Sequence, residues 1–303
     1  MISSNIYPQL NKTRLAPTPS GYLHLGNVLS FIITATLAQK CGAGILLRID
    51  DMDRERVRDE YLQDIFDTLN FLEIPYTEGP KDVQDFKDSW SQLHRMDAYN
   101  AALEQLKEQG DVFACRCSRA QLQQYADAGY PGTCLPLHIS LNNKNISWRL
   151  NTAKDQLTSI NIFPGYIQQE VLPPDMQNFV IRKKDGYPAY QLSSLCDDIH
   201  YGVDLIVRGQ DLWASTIAQQ YLAGRLGAEG FNKAVFYHHP LIKDSSGGKL
   251  SKSMGSTSIK FMREQGYKPS AVFSQIAAHI GLKGNFNNWQ QLGDACFEIY
   301  STT

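Results

Sequence analysis

The chain has 303 residues, 43% of them hydrophobic and 20% charged, with a formal net charge of −2. That is enough for one large or two modest domains with a sizeable core. No run approaches the roughly 18 apolar residues of a membrane span, and Met1-Ile2-Ser3-Ser4-Asn5 lacks a charged-then-apolar secretory pattern, so a cytoplasmic location without a membrane partner is expected. The near-neutral balance excludes a global basic field for nucleic acid. RNA contact is left to local patches, the best being Lys249 to Lys268, where Lys249, Lys252, Lys260, Arg263 and Lys268 outweigh Glu264.

In chain order, Thr13-Arg14-Leu15-Ala16 reads as a short strand. It leads through the loop Pro17-Thr18-Pro19-Ser20-Gly21-Tyr22-Leu23-His24-Leu25-Gly26-Asn27 into a helix from Val28 to Ala38, which stops at Lys40-Cys41-Gly42. Gly21 and Gly26 let the backbone approach a bulky ligand, and the helix start offers N–H groups and a positive dipole end to an anion. His24 then lies where a phosphate of ATP would sit. Gly44 to Ile49 reads as a buried strand of a parallel sheet. Asp50, Asp51 and Asp53 follow at its carboxyl end, where ligands of open α/β sheets bind and where a carboxylate can meet a substrate ammonium. The spacing of Val57, Tyr61, Ile65 and Leu69 predicts a helix from about Arg54 to Leu72, and a second amphipathic helix is predicted from about Trp90 to Gly110.

Periodicity then fades through a segment that reads as an insertion, 111–178. It contains Cys115-Arg116-Cys117, the turn around Tyr130 and Cys134. Three thiolates from two short loops form a plausible tetrahedral zinc set that needs one more ligand, for which spacing leaves both Tyr130 and His138 open. Cys41, Cys196 and Cys296 stand singly in apolar surroundings and read as small buried hydrophobes. No structural disulfide is expected in the cytoplasm. Sheet-like sequence is predicted to return at Phe179 to Arg182 and to continue, after a turn at Lys184-Asp185-Gly186, through Tyr190 to Asp198. A strand over Val203 to Gly209, a helix from Leu212 to Leu226 and a strand at Val235 to Tyr237 come next. The flexible stretch Ser245-Ser246-Gly247-Gly248 then delivers Lys249 and Lys252, whose ammonium groups can stabilise charge on a departing pyrophosphate. Helices are predicted over 259–265, 269–280 and 289–300. The predicted organisation is a catalytic domain in two halves, 1–110 and 179–258, split by the insertion, with a small helical region at 259–303.

The two phosphate motifs together suggest nucleotidyl transfer, and they carry a family resemblance. Arg14 to Gly21 with His24-Leu25-Gly26-Asn27 resembles the "HIGH" region of class I aminoacyl-tRNA synthetases of the glutamyl type. Lys249-Leu250-Ser251-Lys252-Ser253 resembles their "KMSKS" loop, and Arg48-Ile49-Asp50-Asp51-Met52-Asp53 their amino-acid-binding strand end. Arg208-Gly209-Gln210-Asp211-Leu212 is similar to the arginine strand end of a truncated branch of that family, the glutamyl-queuosine tRNA(Asp) synthetases, and Asp185 to Tyr190 to that branch's tyrosine segment. The resemblance implies an α/β fold with a Rossmann-like parallel sheet, a zinc-containing insertion and a short C-terminal helical appendage. It implies ATP-dependent activation of L-glutamate with ATP-Mg²⁺ as substrate. Catalytic roles fall to His24, Lys249 and Lys252; ATP binding to Gly21, His24, Gly26, Asn27 and Lys252; and glutamate binding to Arg14, Thr18, Asp50, Tyr190 and Arg208.

Full-length glutamyl-tRNA synthetases carry a large anticodon-binding domain after the lysine loop, whereas about fifty residues follow it here. The truncated branch is the glutamyl-queuosine tRNA(Asp) synthetases. The set Cys115, Cys117, Tyr130 and Cys134 looks like that branch's single structural zinc site, which resolves the fourth ligand in favour of Tyr130. The partner implied is tRNA(Asp) containing queuosine, on a monomeric enzyme. Alternatives are a shortened synthetase charging tRNA(Glu), or a non-catalytic glutamate- or tRNA-binding paralogue. The chain departs from the branch at Asp50, where Glu is usual, and in a lysine motif closer to "KMSKS" than the branch usually has.

Overall fold

The computed structural model describes residues 7–125, 128–242 and 258–300. The lysine motif with Lys249 and Lys252 lies outside them. The elements begin with β1 (Lys12–Leu15), α1 (Leu25–Cys41), β2 (Gly44–Leu47), α2 (Asp59–Phe71), α3 (Val83–Asp85), α4 (Met96–Glu108), β3 (Val112–Cys115) and α5 (Arg119–Gln123). They continue with β4 (Ser147–Leu150), β5 (Leu157–Ile162), β6 (Tyr166–Val171), β7 (Val180–Arg182), α6 (Tyr190–His200), β8 (Leu205–Gly209), α7 (Trp213–Leu226) and α8 (Glu229–Asn232). Last come β9 (Val235–His239), α9 (Ile259–Glu264), α10 (Pro269–His279) and α11 (Trp289–Tyr300). The chain packs as two units. One comprises Met1–Ser91, Asp204–Asp211 and Phe236–Thr303, and the other Gln92–Val203 and Leu212–Val235.

In the first unit, α1 is buried on nearly every side, so its sequence is apolar all round rather than striped. It ends where Gly42 takes the left-handed conformation, with φ 69°. β1 and β2 pair in parallel with Arg14 opposite Leu46. The Asp204 carboxylate accepts from the backbone N–H of Asn11 (2.8 Å) and Lys12 (2.9 Å), and the Asp204 N–H donates to the Lys12 carbonyl (3.0 Å), which fixes the start of β8 beside β1. β9 is the hydrogen-bonded neighbour of β8. The predicted helix from Arg54 begins only at Asp59, because Arg58 is extended (φ −137°) and residues 54–56 form a turn. The C-terminal helices belong to this unit rather than standing apart as an appendage. α11 meets α1 so closely that a Cβ at Gly293 would overlap Thr36 Oγ1. Lys40 closes the contact, bonding Asp294 (2.9 Å) and lying 5.0 Å from the Phe297 ring centre.

In the second unit, β3, β4 and β7 make an antiparallel sheet and β5 and β6 a hairpin. Tyr190 to Asp198 is helix, not the predicted sheet. Ala189, extended after Pro188, starts α6, and Leu192 and Leu195, three apart, are buried on its inner face. The buried carboxylate of Asp197 organises the interior: it accepts from Arg95 (2.7 and 3.1 Å), Gln92 (2.9 Å) and Tyr99 (2.5 Å). A buried charge pair of this kind is tolerated because its remaining lone pairs are hydrogen-bonded.

The lone cysteines are inert by environment: burial pushes the thiols of Cys41 up to about 11 and of Cys196 and Cys296 up to about 12. No helix among the described residues is long and apolar enough to cross a membrane. By propensity alone, Gly293→Ala should stabilise α11 by about 1 kcal/mol. The contact with Thr36 reverses that sign, and thermal or urea unfolding should show a loss of about 1–3 kcal/mol, as overpacking gives.

Candidate functional site

The loop before α1 is shaped by its own side chains. His24 is the N-cap: its Nδ1 accepts from the Gly26 N–H (3.1 Å), and its N–H donates to the Asn27 side-chain oxygen (3.1 Å). This reciprocal cap sets the ring tautomer with the proton on Nε2. A Cβ at Gly26 would meet the His24 ring at 3.0 Å, so a side chain there would have to displace the ring. Asn27, expected at ATP, is the residue that accepts from the His24 backbone. Gly21 and the exposed Thr18 lie on the same loop, and the Pro17 carbonyl accepts from the Asp50 N–H (2.9 Å), joining the loop to the end of β2.

Arg14 on β1 and Arg208 on β8 are both buried, at 4% exposure each, and Arg14 Nη1 donates to the Val207 carbonyl (3.1 Å). Arg208 also lies over the Phe236 ring, against which His238 stacks. Asp50 is held by a bidentate pair with Arg48 (2.8 and 3.0 Å), both side chains buried. Asp51 accepts from Ser91 (2.6 Å) and from Arg54. The field of this region is positive, and one neighbour registers it. Burial, followed by Arg208, His239 and Arg14, holds the His238 imidazole down at about 3. Anion binding is the chemistry such a region can perform.

In the second unit, Tyr190 is the first residue of α6 and 41% exposed. The sulfurs of Cys115, Cys117 and Cys134 all lie within 4.8 Å of one another, Cys117 and Cys134 at 3.5 Å. The Tyr130 hydroxyl accepts from the Cys134 N–H (2.8 Å). Burial pushes the Cys115 thiol up, but hydrogen bonds from Tyr130 and Arg149 outweigh it and bring it down to about 7. Cys117 is pushed up to about 11 by burial and by its thiol neighbours. Three soft donors this close repel one another as thiolates, so the cluster suits a cation that replaces their protons. His138 is not part of it; left-handed at φ 45°, it lines a cleft of about 670 Å³ with Phe113 and Leu135.

Of the basic patch from Lys249 to Lys268, Arg263 is engaged internally by Asp64 and Asp67 (2.6 and 3.2 Å). Sequence reasoning missed His238 and Arg48. His238 carries no motif, and the available signal was its place near the carboxyl end of β9, in line with the ends of β1 and β8. Because the unfolded imidazole titrates near its ordinary 6.5, the folded chain binds fewer protons than the unfolded one between that value and about 3. Stability therefore falls as pH drops through this window. His238→Gln should lose part of the acid sensitivity, read as a smaller change in urea midpoint between about pH 7 and about pH 4.

The family pattern described as tRNA synthetases class I (E and Q), catalytic domain, matches residues 11–285. A protein named Glutamyl-Q tRNA(Asp) synthetase from Symbiobacterium thermophilum is 33% identical over 284 residues, covering 89% of this chain and 86% of that protein. Glutamate--tRNA ligase 2 of Nitrosococcus oceani is 33% identical over 280 residues, covering 88% of this chain, which spans only 58% of the ligase's length. The crystal structure of glutamate-tRNA synthetase from Elizabethkingia anophelis matches with a TM-score of 0.71 at 21% identity, over 89% of this chain and 61% of that one, a likeness of fold. The chain therefore belongs to the class I glutamyl and glutaminyl tRNA synthetases, in the group that takes in the glutamyl-Q tRNA(Asp) synthetases.

Proposed function

We propose that the chain activates L-glutamate with ATP-Mg²⁺ to glutamyl-adenylate and transfers the glutamate to the queuosine base of tRNA(Asp). The observation that carries the first step is the pair of buried guanidiniums, Arg14 and Arg208, in one unit with the capped loop of His24. Their forks match the two carboxylates of glutamate. Asp50, paired with Arg48, is assigned the α-ammonium. Thr18 supplies a neutral contact, and Tyr190 receives its role as a glutamate contact from the family resemblance. A glutamine side chain would leave a guanidinium without its counter-charge, so glutamate is selected over glutamine. The arrangement follows the Rossmann-like design of the family.

In this reading the α-carboxylate oxygen of glutamate bonds to the α-phosphorus of ATP, and the bond to the bridging oxygen breaks, releasing pyrophosphate. Gly21, Gly26 and Asn27 shape the ATP loop, and His24 donates to phosphate from Nε2. Lys249 and Lys252 take up charge on the leaving group. Catalysis is positioning and electrostatics. A hydroxyl of the queuosine cyclopentene ring then attacks the adenylate carbonyl and AMP departs. Zinc held by Cys115, Cys117, Cys134 and Tyr130 would be structural, a closed set that fixes the surrounding loops. The enzyme is assigned to the cytoplasm and to a monomeric state as part of the same reading. Charging of tRNA(Glu) is the second reading, favoured by equal identity to the Nitrosococcus ligase.

Labelled glutamate and ATP, offered with queuosine-containing tRNA(Asp), queuosine-free tRNA(Asp) and tRNA(Glu), should label only the first. Labelling of tRNA(Glu) would establish the second reading, and no transfer with no ATP–pyrophosphate exchange would refute both. Metal analysis should find one zinc per chain, and Cys134→Ser should lose it and unfold at lower temperature; metal-free protein indifferent to chelator would sink the zinc assignment.

A further inference from the structure

One face of α2 carries Glu60, Asp64 and Asp67, spaced four and three residues apart, and two segments distant in sequence are fastened to it. From the phosphate loop, the Tyr22 hydroxyl donates to Glu60 (2.7 Å) and the Leu23 N–H to Asp64 Oδ2 (2.8 Å). From α9, Arg263 donates to Asp64 Oδ1 (2.6 Å) and to Asp67 (3.2 Å). Lys260 donates to the Tyr22 hydroxyl (3.1 Å) and lies 4.4 Å from its ring centre. The segments also meet directly: the Ile259 N–H donates to the Leu23 carbonyl (2.8 Å), and His24 forms an isolated β-bridge with Ser258.

Asp64 is the shared point. Its side chain is 2% exposed, and it serves the loop with one oxygen and α9 with the other. A carboxylate this buried needs both partners, and removing either leaves a charge or a backbone donor unsatisfied away from water. A mere surface salt bridge would demand neither burial nor a backbone donor.

We propose that Asp64 is a positioning residue for the phosphate loop: its carboxylate ties the backbone at Leu23, next to His24, to Arg263 on α9, so that the loop keeps one geometry set from α2. Donors aimed at a developing charge act only if held before the charge appears, which makes such a tie a determinant of turnover and not of fold alone. Asp64 itself touches no substrate. The segment it secures at Ser258 begins six residues after Lys252 in sequence. The proposal rests on reading the His24 loop as the ATP site.

The test has two arms on the full chain. In hydrogen exchange by mass spectrometry, Arg263→Ala should speed exchange in peptides covering 20–27, although the substitution lies on α9, and Asp64→Asn should do the same. In ATP–pyrophosphate exchange with glutamate, both variants should lose about tenfold in kcat/KM for ATP with KM for glutamate unchanged. Arg263→Lys should recover part of that, and Asp64→Ala with Arg263→Ala should be no worse than either alone. Loop protection untouched by both substitutions, or ATP and glutamate constants moving equally, would overturn the tie. Should the Asp64 variants fail to fold, Arg263→Ala and Arg263→Lys decide the same question. A wild-type chain that exchanges no pyrophosphate would refute the adenylation reading, while the hydrogen-exchange arm would still decide the tie.

Discussion

At the start of α1 the His24 ring accepts from Gly26 while Asn27 accepts from the His24 backbone, and the orientation of the loop from Pro17 to Asn27 depends on that exchange. A helix N-terminus leaves several amides without partners. Here one is satisfied by the very ring that the ligand is expected to meet. The cap thus performs two tasks: it ends the loop, and it fixes the imidazole tautomer. Gly26 suits this arrangement, since a Cβ there would press on the ring. The remainder of the first unit supports this point, with β1 leading in, α1 leading out beneath α11, and α2 bearing the loop from the side.

Buried charge is handled in two contrasting ways. Where it is structural, it is closed off: Asp197 with Arg95, Gln92 and Tyr99, and Asp51 with Ser91 and Arg54. Where function is proposed, groups of one kind are gathered. Burial, followed by Arg208, His239 and Arg14, holds His238 neutral far below its usual titration, and three thiols crowd together with Cys115 brought down to about 7. The first grouping suits an anion and the second a cation. Perturbed groups of this kind mark sites more reliably than residue type does.

Much of the site was legible because its motifs are local. The loop from Pro17 to Asn27 could be read as strand, loop and helix from its glycines and the apolar run that follows, and the cysteine cluster from two short loops. Local signals also misled. Tyr190 to Asp198 read as sheet because the segment is short and mixed, and only burial of Leu192 and Leu195 on one face shows the helical period. Arg263 read as a free cation in a basic stretch; Asp64 and Asp67, far away in sequence, neutralise it.

By itself the sequence determined the elements whose causes lie within a few residues: the cap at His24, the left-handed stop at Gly42, the strand that presents Arg14, and the family to which these motifs belong. Tertiary structure alone decided what depends on encounter. It set Arg208 and His238 in the same positive region as Arg14, engaged Asp50 with Arg48, brought the Tyr130 hydroxyl to the thiols, and made Gly293 a contact instead of a weak helix former. The physical reason is range. Propensity, capping and turn chemistry act through neighbouring backbone atoms, whereas charge balance, burial and close packing are properties of groups that become neighbours only when the chain has folded.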